Sequence, residues 1–220
     1  MRLNKLFVMA ALVGGTMLAS AAGAQVTSSF LPGTMGFQPL ETAIDDFNGY
    51  ASVGDDAHFT YTGNVGFYTD TTPGVAAAPA GDGTQYLAVL SGGSATFNFG
   101  KAYHTFSLDV GSVDDYNSLM ITLFGAGGSV TLSGSQLNAG NSANGDQSNP
   151  LENGRLSISS PWAITGFTAS STGNSFELDN VGVSGAVPEP ATWAFMFAGF
   201  GAIGLAMRGH RQQKLQTIFG

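Results

Sequence analysis

Short runs in which hydrophobic and polar residues alternate fill the middle of the chain, and two continuous apolar blocks lie near its ends. Successive side chains of a strand point to opposite faces, so alternating runs predict strands with one buried face. Ten such segments, bounded by Gly, Asn, Asp and Ser turns, lie at 58–61, 65–68, 85–90, 94–99, 105–110, 119–124, 129–132, 155–158, 163–169 and 175–183. Their number and spacing predict an all-β fold, an antiparallel β-sandwich of jelly-roll type.

The first apolar block belongs to a predicted signal peptide covering residues 1–24. Arg2 and Lys5 precede the apolar stretch 6–19, and Ala22 and Ala24 form a small-residue cleavage site before Gln25. An uncleaved N-terminal anchor is the alternative, which the shortness of the apolar stretch disfavours. The expected partners at this end are the secretion machinery and signal peptidase, and the mature chain is expected to begin at residue 25.

The second apolar block, residues 191–207, is predicted to be a transmembrane helix. Its 17 residues span about 26 Å as a helix, slightly less than the roughly 30 Å hydrocarbon core of a bilayer. Arg208 and Arg211 follow it, and basic residues favour the cytoplasmic side of a membrane. The preceding domain is therefore expected on the opposite, external side.

A proline-flanked motif stands directly before this block. Two prolines favour an extended backbone, and the second fits the first position of a helix, where its missing N–H costs nothing. The motif, the apolar helix and the basic tail together resemble the PEP-CTERM sorting signal in its PEPxxWA form. The matching residues are Pro188, Glu189, Pro190, Trp193, Ala194, Arg208 and Arg211.

The resemblance implies processing by an exosortase, a membrane enzyme that removes the helix near the Pro-Glu-Pro. The chain would then divide into a signal peptide (1–24), a β-sandwich ectodomain (25–187), a sorting signal (188–214) and an atypical extension (215–220). It would be anchored transiently in the inner membrane of a Gram-negative bacterium and end at the cell surface or in the extracellular matrix. A plain single-pass anchor is the alternative, and the extension is a departure from the usual tail.

The charge distribution limits the partners of the ectodomain. Residues 25–187 carry two Lys/Arg against fourteen Asp/Glu, a formal balance of −12. A nucleic-acid backbone would be repelled by such a domain, so we expect no nucleic-acid binding. The chain has no cysteine, which excludes disulfides and thiolate sites.

A structural calcium ion is compatible with this composition, because Ca²⁺ binds carboxylate and carbonyl oxygens. Segment 175–183 resembles the closing strand of PEP-CTERM surface domains and of carbohydrate-binding jelly rolls. Such jelly rolls often hold an ion between their first and last strands. The resemblance implies that Glu41, Asp45 or Asp46 would approach Glu177 or Asp179.

Catalytic motifs are absent from the sequence, so we expect no enzymatic activity. No Gly-x-Ser-x-Gly or His-Glu-x-x-His pattern occurs, and neighbouring carboxylates on a strand point to opposite faces. Tyr116, in a polar Asp-Asp-Tyr-Asn turn, is the best candidate for stacking on a sugar. Three functions stay open: a non-catalytic component of the cell surface or exopolysaccharide matrix, a lectin-like carbohydrate-binding module with structural calcium, and a secreted glycan-processing enzyme.

Overall fold

A computed structural model describes residues 25–51, 58–111, 113, 118–137, 149, 151–187, 192, 195–204 and 207–208. Within them ten strands follow one another, with a 3₁₀ turn at Gly134–Gln136 after the eighth. The strands are β1 (Thr27–Pro32), β2 (Thr42–Asp45), β3 (Phe59–Thr62), β4 (Val65–Tyr68), β5 (Tyr86–Val89), β6 (Ser94–Val110), β7 (Met120–Gly125), β8 (Gly128–Ser133), β9 (Gly154–Ser170) and β10 (Phe176–Ala186).

The two longest strands, β6 and β9, organise the sheet. They are 17 residues each and pair with one another antiparallel, with irregular register between Asn98 and Thr105. On either side of this bend the two strands take different neighbours. We call one half the first layer. It contains β4, β5, β10, β2, the C-terminal part of β6, the N-terminal part of β9 and β1. The second layer contains β3, the other parts of β6 and β9, β7 and β8.

The hydrophobic core lies between these layers, as in a β-sandwich. Phe97 and Phe167 are cross-strand partners in the second layer, with ring centroids 4.6 Å apart. The Phe167 ring also stacks at 4.6 Å on Phe106 from the first layer, and Phe59 stacks at 5.4 Å on Phe97. All four side chains are fully buried. Burying a phenylalanine contributes about 1.5–3 kcal/mol, and the stacked pairs contribute further.

The prediction of an antiparallel, β-sandwich-like ectodomain is confirmed, with two differences in the strands. Segments 94–99 and 105–110 are one strand, β6, and segments 155–158 and 163–169 are one strand, β9. β1 and β2 were not predicted, because each pairs with a single neighbour and buries only one of its residues fully. The jelly-roll type remains a prediction.

Candidate functional site

A buried cluster of charges lies on the outer side of the first layer. Arg155 on β9 is fully buried, and its Nη1 donates to Asp109 Oδ1 on β6 at 2.9 Å. Its Nη2 donates at 2.6 Å to Oε2 of Glu41, which precedes β2. The Gly36 amide donates to the second oxygen of Asp109 at 2.6 Å. Segment 33–41 is therefore held against the outer side of the sheet.

This cluster links segment 33–41 to β6 and β9 and stabilises the fold. Burial raises the pKa of Asp109, while the Gly36 amide and the Arg155 guanidinium act to lower it. Loss of one partner would leave another charge buried and unpaired, which costs about 3–5 kcal/mol. A Cβ added at Gly182 would lie 3.0 Å from Arg155 Nη2, so glycine lets the guanidinium lie against the backbone of β10.

A second buried group surrounds Asp179 on β10. The Thr84 hydroxyl lies 2.9 Å from Asp179 Oδ2 and 2.6 Å from Asp82 Oδ1, although it can donate only one proton. Burial first, and then Asp82, raise the pKa of Asp179 to about 9. Asp82 Oδ2 is buried without a hydrogen-bond partner among the described residues. The raised pKa means that the Asp179 carboxyl keeps its proton at neutral pH.

The four residues predicted to hold calcium have hydrogen-bond partners within the fold. Asp45 accepts from the Phe47 amide and the Tyr50 hydroxyl, and exposed Asp46 accepts from the Asn48 amide. Glu177 Oε1 accepts from the Ala77 amide and the Ser175 hydroxyl. In the part of the chain that the structure describes, no three His, Cys, Asp or Glu side chains form a group that could hold a metal ion. The calcium site at Glu177, Asp179, Asp45 and Asp46 stays a prediction.

Glu41, which the resemblance also implied as a calcium ligand, binds a basic side chain instead. Its carboxylate binds Arg155, so the guanidinium supplies a positive charge beside the early acidic segment. Tyr116 and its turn lie outside the described residues, and its role in sugar binding stays a prediction. An open cleft of about 420 Å³ is lined in part by Asp46, Tyr50 and His58.

The folded domain ends where the proline motif begins. On β10, Ala186 pairs with Tyr103, and the amide of Val187 donates to the Ala102 carbonyl at 2.9 Å. Gln25, at the other end, is exposed just before β1. Of the predicted motif and cleavage residues, Arg208 is described and exposed. Those outside the described residues are Ala22, Ala24, Pro188, Glu189, Pro190, Trp193, Ala194 and Arg211.

The region after the Pro-Glu-Pro is helical at 192, 195–204 and 207–208. Its large apolar side chains are exposed, including Phe195 at 78% and Phe200 at 66%. Over the described residues, no helix has the length and apolar character needed to cross a membrane. The transmembrane helix at 191–207 stays a prediction.

A family model for the PEP-CTERM protein-sorting motif matches residues 186–212. The chain carries a PEP-CTERM motif. The match starts on the last residue of β10 and includes all the proline, tryptophan and arginine positions that the sequence suggested. It implies processing by an exosortase, export, and a surface or extracellular location.

Other comparisons add no functional argument to the PEP-CTERM assignment. The Family 11 carbohydrate-binding module of cellulosomal cellulase Lic26A-Cel5E of Clostridium thermocellum is 14% identical, with a TM-score of 0.32, covering 68% of this chain and 97% of the module. The catalytic domain of a GH87 α-1,3-glucanase is 12% identical, with a TM-score of 0.37, covering 76% of this chain and 30% of that one. At these TM-scores the likenesses carry no inference. No curated protein matches the chain.

Sequence reasoning found the PEP-CTERM motif but missed both buried charge groups. Asp109, Arg155 and Asp82 were not singled out. The available signal was the position of Asp109 and Arg155 inside strands, next to Leu108 and Leu156, in a domain with only two basic residues.

Proposed function

We propose that this protein is a non-catalytic component of the bacterial cell surface or exopolysaccharide matrix, released from the inner membrane by an exosortase. The observation that carries the proposal is the PEP-CTERM motif at 186–212, placed directly after the last strand. The signal peptide predicted at 1–24 supplies the route across the membrane, with the secretion machinery and signal peptidase as partners.

The position of β10 supports release of an intact domain. β10 pairs with β2, β5 and β6, so its residues are held in a ladder on both sides. The last such contact is the hydrogen bond from Val187 to Ala102. Among the described residues, the backbone pairing of this strand therefore ends at Val187, before the Pro-Glu-Pro. Cleavage near the Pro-Glu-Pro would leave all ten strands in the product.

A role without catalysis is supported by the buried carboxylates, because they bind other side chains inside the fold. Glu41 and Asp109 bind Arg155, and Asp179 contacts Thr84 and Asp82 within the interior. Association with a neutral or acidic glycan, as a lectin-like module with or without calcium, is the second candidate. A glycan-processing enzyme is the third, and release of new reducing ends from a polysaccharide would identify it.

The test is a motif variant in the producing bacterium. Pro188→Ala combined with Glu189→Ala should keep the protein in the membrane fraction, whereas the wild type reaches the surface or the medium. Thr192→Ala is the matched control, because it changes a variable position of PEPxxWA two residues beyond the Pro-Glu-Pro. Release of the double variant at the wild-type level would refute exosortase processing.

A further inference from the structure

A row of five threonines crosses the outer face of the second layer. The pairing register places one threonine of each strand beside one of the next, and alternation along the strands turns all five away from the core. Thr60 and Thr131 at the edges are exposed, and the three between them are half-buried. In order across the layer the residues are Thr60, Thr96, Thr168, Thr122 and Thr131.

A second row runs parallel to the first, two residues along each strand. It contains Thr62, Ser94, Ser170, Met120 and Ser133. Neighbouring hydroxyls are 2.8 Å apart in the pairs Thr96–Thr168 and Thr122–Thr131, and 2.7 Å apart in Thr62–Ser94. With strands about 4.8 Å apart and rows roughly 6.6 Å apart, the face is a two-dimensional array in which every position except Met120 carries a hydroxyl group.

The rows carry no charge, unlike the rest of the domain. None of the ten residues in them is ionisable, although Asp and Glu outnumber Lys and Arg by fourteen to two between residues 25 and 187. The first layer also has hydroxyls on its outer side, for example Thr105 and Ser159, which lie 2.9 Å apart. That side, however, carries the Arg155 cluster and is covered in part by segment 33–41.

An aromatic ring extends the array along β7. Phe124 follows Thr122 on the same face and is half-buried. A Cβ added at Gly166, its partner on β9, would lie 2.6 Å from Phe124 Cζ, so the ring covers the glycine. Aromatic faces pack against the C–H faces of sugars, while hydroxyl groups exchange hydrogen bonds with sugar hydroxyls.

We propose that the outer face of the second layer binds a neutral polysaccharide that lies across its strands. The uncharged rows disfavour anionic and cationic ligands, because neither finds a counter-charge there. Hydroxyls that can both donate and accept suit a polyhydroxylated chain, and five consecutive strands suit a repeating polymer better than a single sugar. The inference rests on the glycan association proposed above and names its surface and ligand class.

The test is retention of the purified full chain, in a detergent without a sugar headgroup, on insoluble microcrystalline cellulose. Alginate beads serve as the anionic comparison. The variant Thr96→Val/Thr168→Val removes both members of one hydroxyl pair while it keeps the size and strand preference of the side chains. Thr105→Val/Ser159→Ala is the matched control, because it removes the corresponding pair on the first layer. Loss of two hydroxyl contacts is expected to weaken cellulose binding about tenfold.

The proposal is supported if the wild type and the Thr105/Ser159 variant bind cellulose equally, bind alginate less, and the Thr96/Thr168 variant loses affinity with an unchanged melting temperature. It is overturned if the wild type is not retained on cellulose, if alginate retains it equally, or if both variants bind alike. It is also overturned if sedimentation shows that the Thr96/Thr168 pair holds two copies of the chain together. The purified chain needs no exosortase in this experiment, so a failure here is distinct from a failure of the sorting proposal.

Discussion

Replacement of Asp179 by Asn removes an ionisable carboxyl group from a fully buried position in the domain. The Asp179 carboxyl is fully buried, and its Oδ2 lies within hydrogen-bonding distance of Thr84. The pKa of this carboxyl is about 9 in the folded protein, against 3.8 for an exposed aspartate. The protonated form is therefore favoured by folding, and an Asn side chain also offers a donor to Asp82 in place of that proton.

The sign of the pH dependence follows from the raised pKa. The contribution of Asp179 is fully present below about pH 4 and is lost as the pH rises toward about 9, because the unfolded chain releases the proton first. At about 1.4 kcal/mol per pH unit, the loss between pH 5 and pH 8 is at most about 4 kcal/mol. Because the raised pKa of Asp179 depends in part on nearby Asp82, we expect a measured loss of about 2 kcal/mol in the free energy of unfolding.

The assay is urea unfolding of the full chain at pH 5 and pH 8 in the presence of a chelator. The stability of Asp179→Asn relative to the wild type should increase by about 2 kcal/mol between these pH values. Asp46→Asn, at an exposed carboxylate, is the matched control and should show no such increase. Equal pH dependence of the wild type and Asp179→Asn would refute a buried, protonated Asp179.

Three further outcomes are expected from other parts of the molecule. Arg155→Met should cost about 3–5 kcal/mol, measured by urea unfolding, because Asp109 and Glu41 lose their buried partner; a loss below 1 kcal/mol would contradict this. If Glu177 or Asp179 binds calcium together with the early acidic residues Asp45 or Asp46, calcium should raise the melting temperature by several degrees over that in chelator, and identical melting curves would end the calcium hypothesis. Tyr116→Ala should change stability by less than about 0.5 kcal/mol while reducing polysaccharide retention, and an unfolded variant would make Tyr116 structural.

The strands bounded by clear turn residues were predictable from the sequence, and those without such bounds or with few buried residues were not. β4 was predicted with its observed bounds, because both of its neighbouring turns are marked by glycine or aspartate. The continuity of β6 through Gly100 and Lys101 was hidden, since a polar, glycine-containing bend has the same composition as a loop. β1 and β2 have few buried residues and depend on their partners for their conformation.

The sorting motif was predictable because it is a local sequence pattern, whereas the charge clusters depend on distant segments. Asp109 lies on the outer side of its strand, where the alternation alone predicts exposure. It is buried because segment 33–41 folds across it, more than 70 residues earlier in the chain. Likewise, Asp82 and Asp179 meet only through the packing of a loop against β10. No periodicity in one segment indicates such contacts.

The intact mass of the native protein from the producing bacterium distinguishes exosortase processing from a plain membrane anchor. Cleavage at both ends predicts a chain that begins at Gln25 and ends near residue 190, which contains all ten strands and lacks the second apolar block. Tandem mass spectrometry of the two terminal peptides would locate both cleavage sites. A surface or secreted protein that still carries residues 208–220 would contradict exosortase processing and leave a plain membrane anchor.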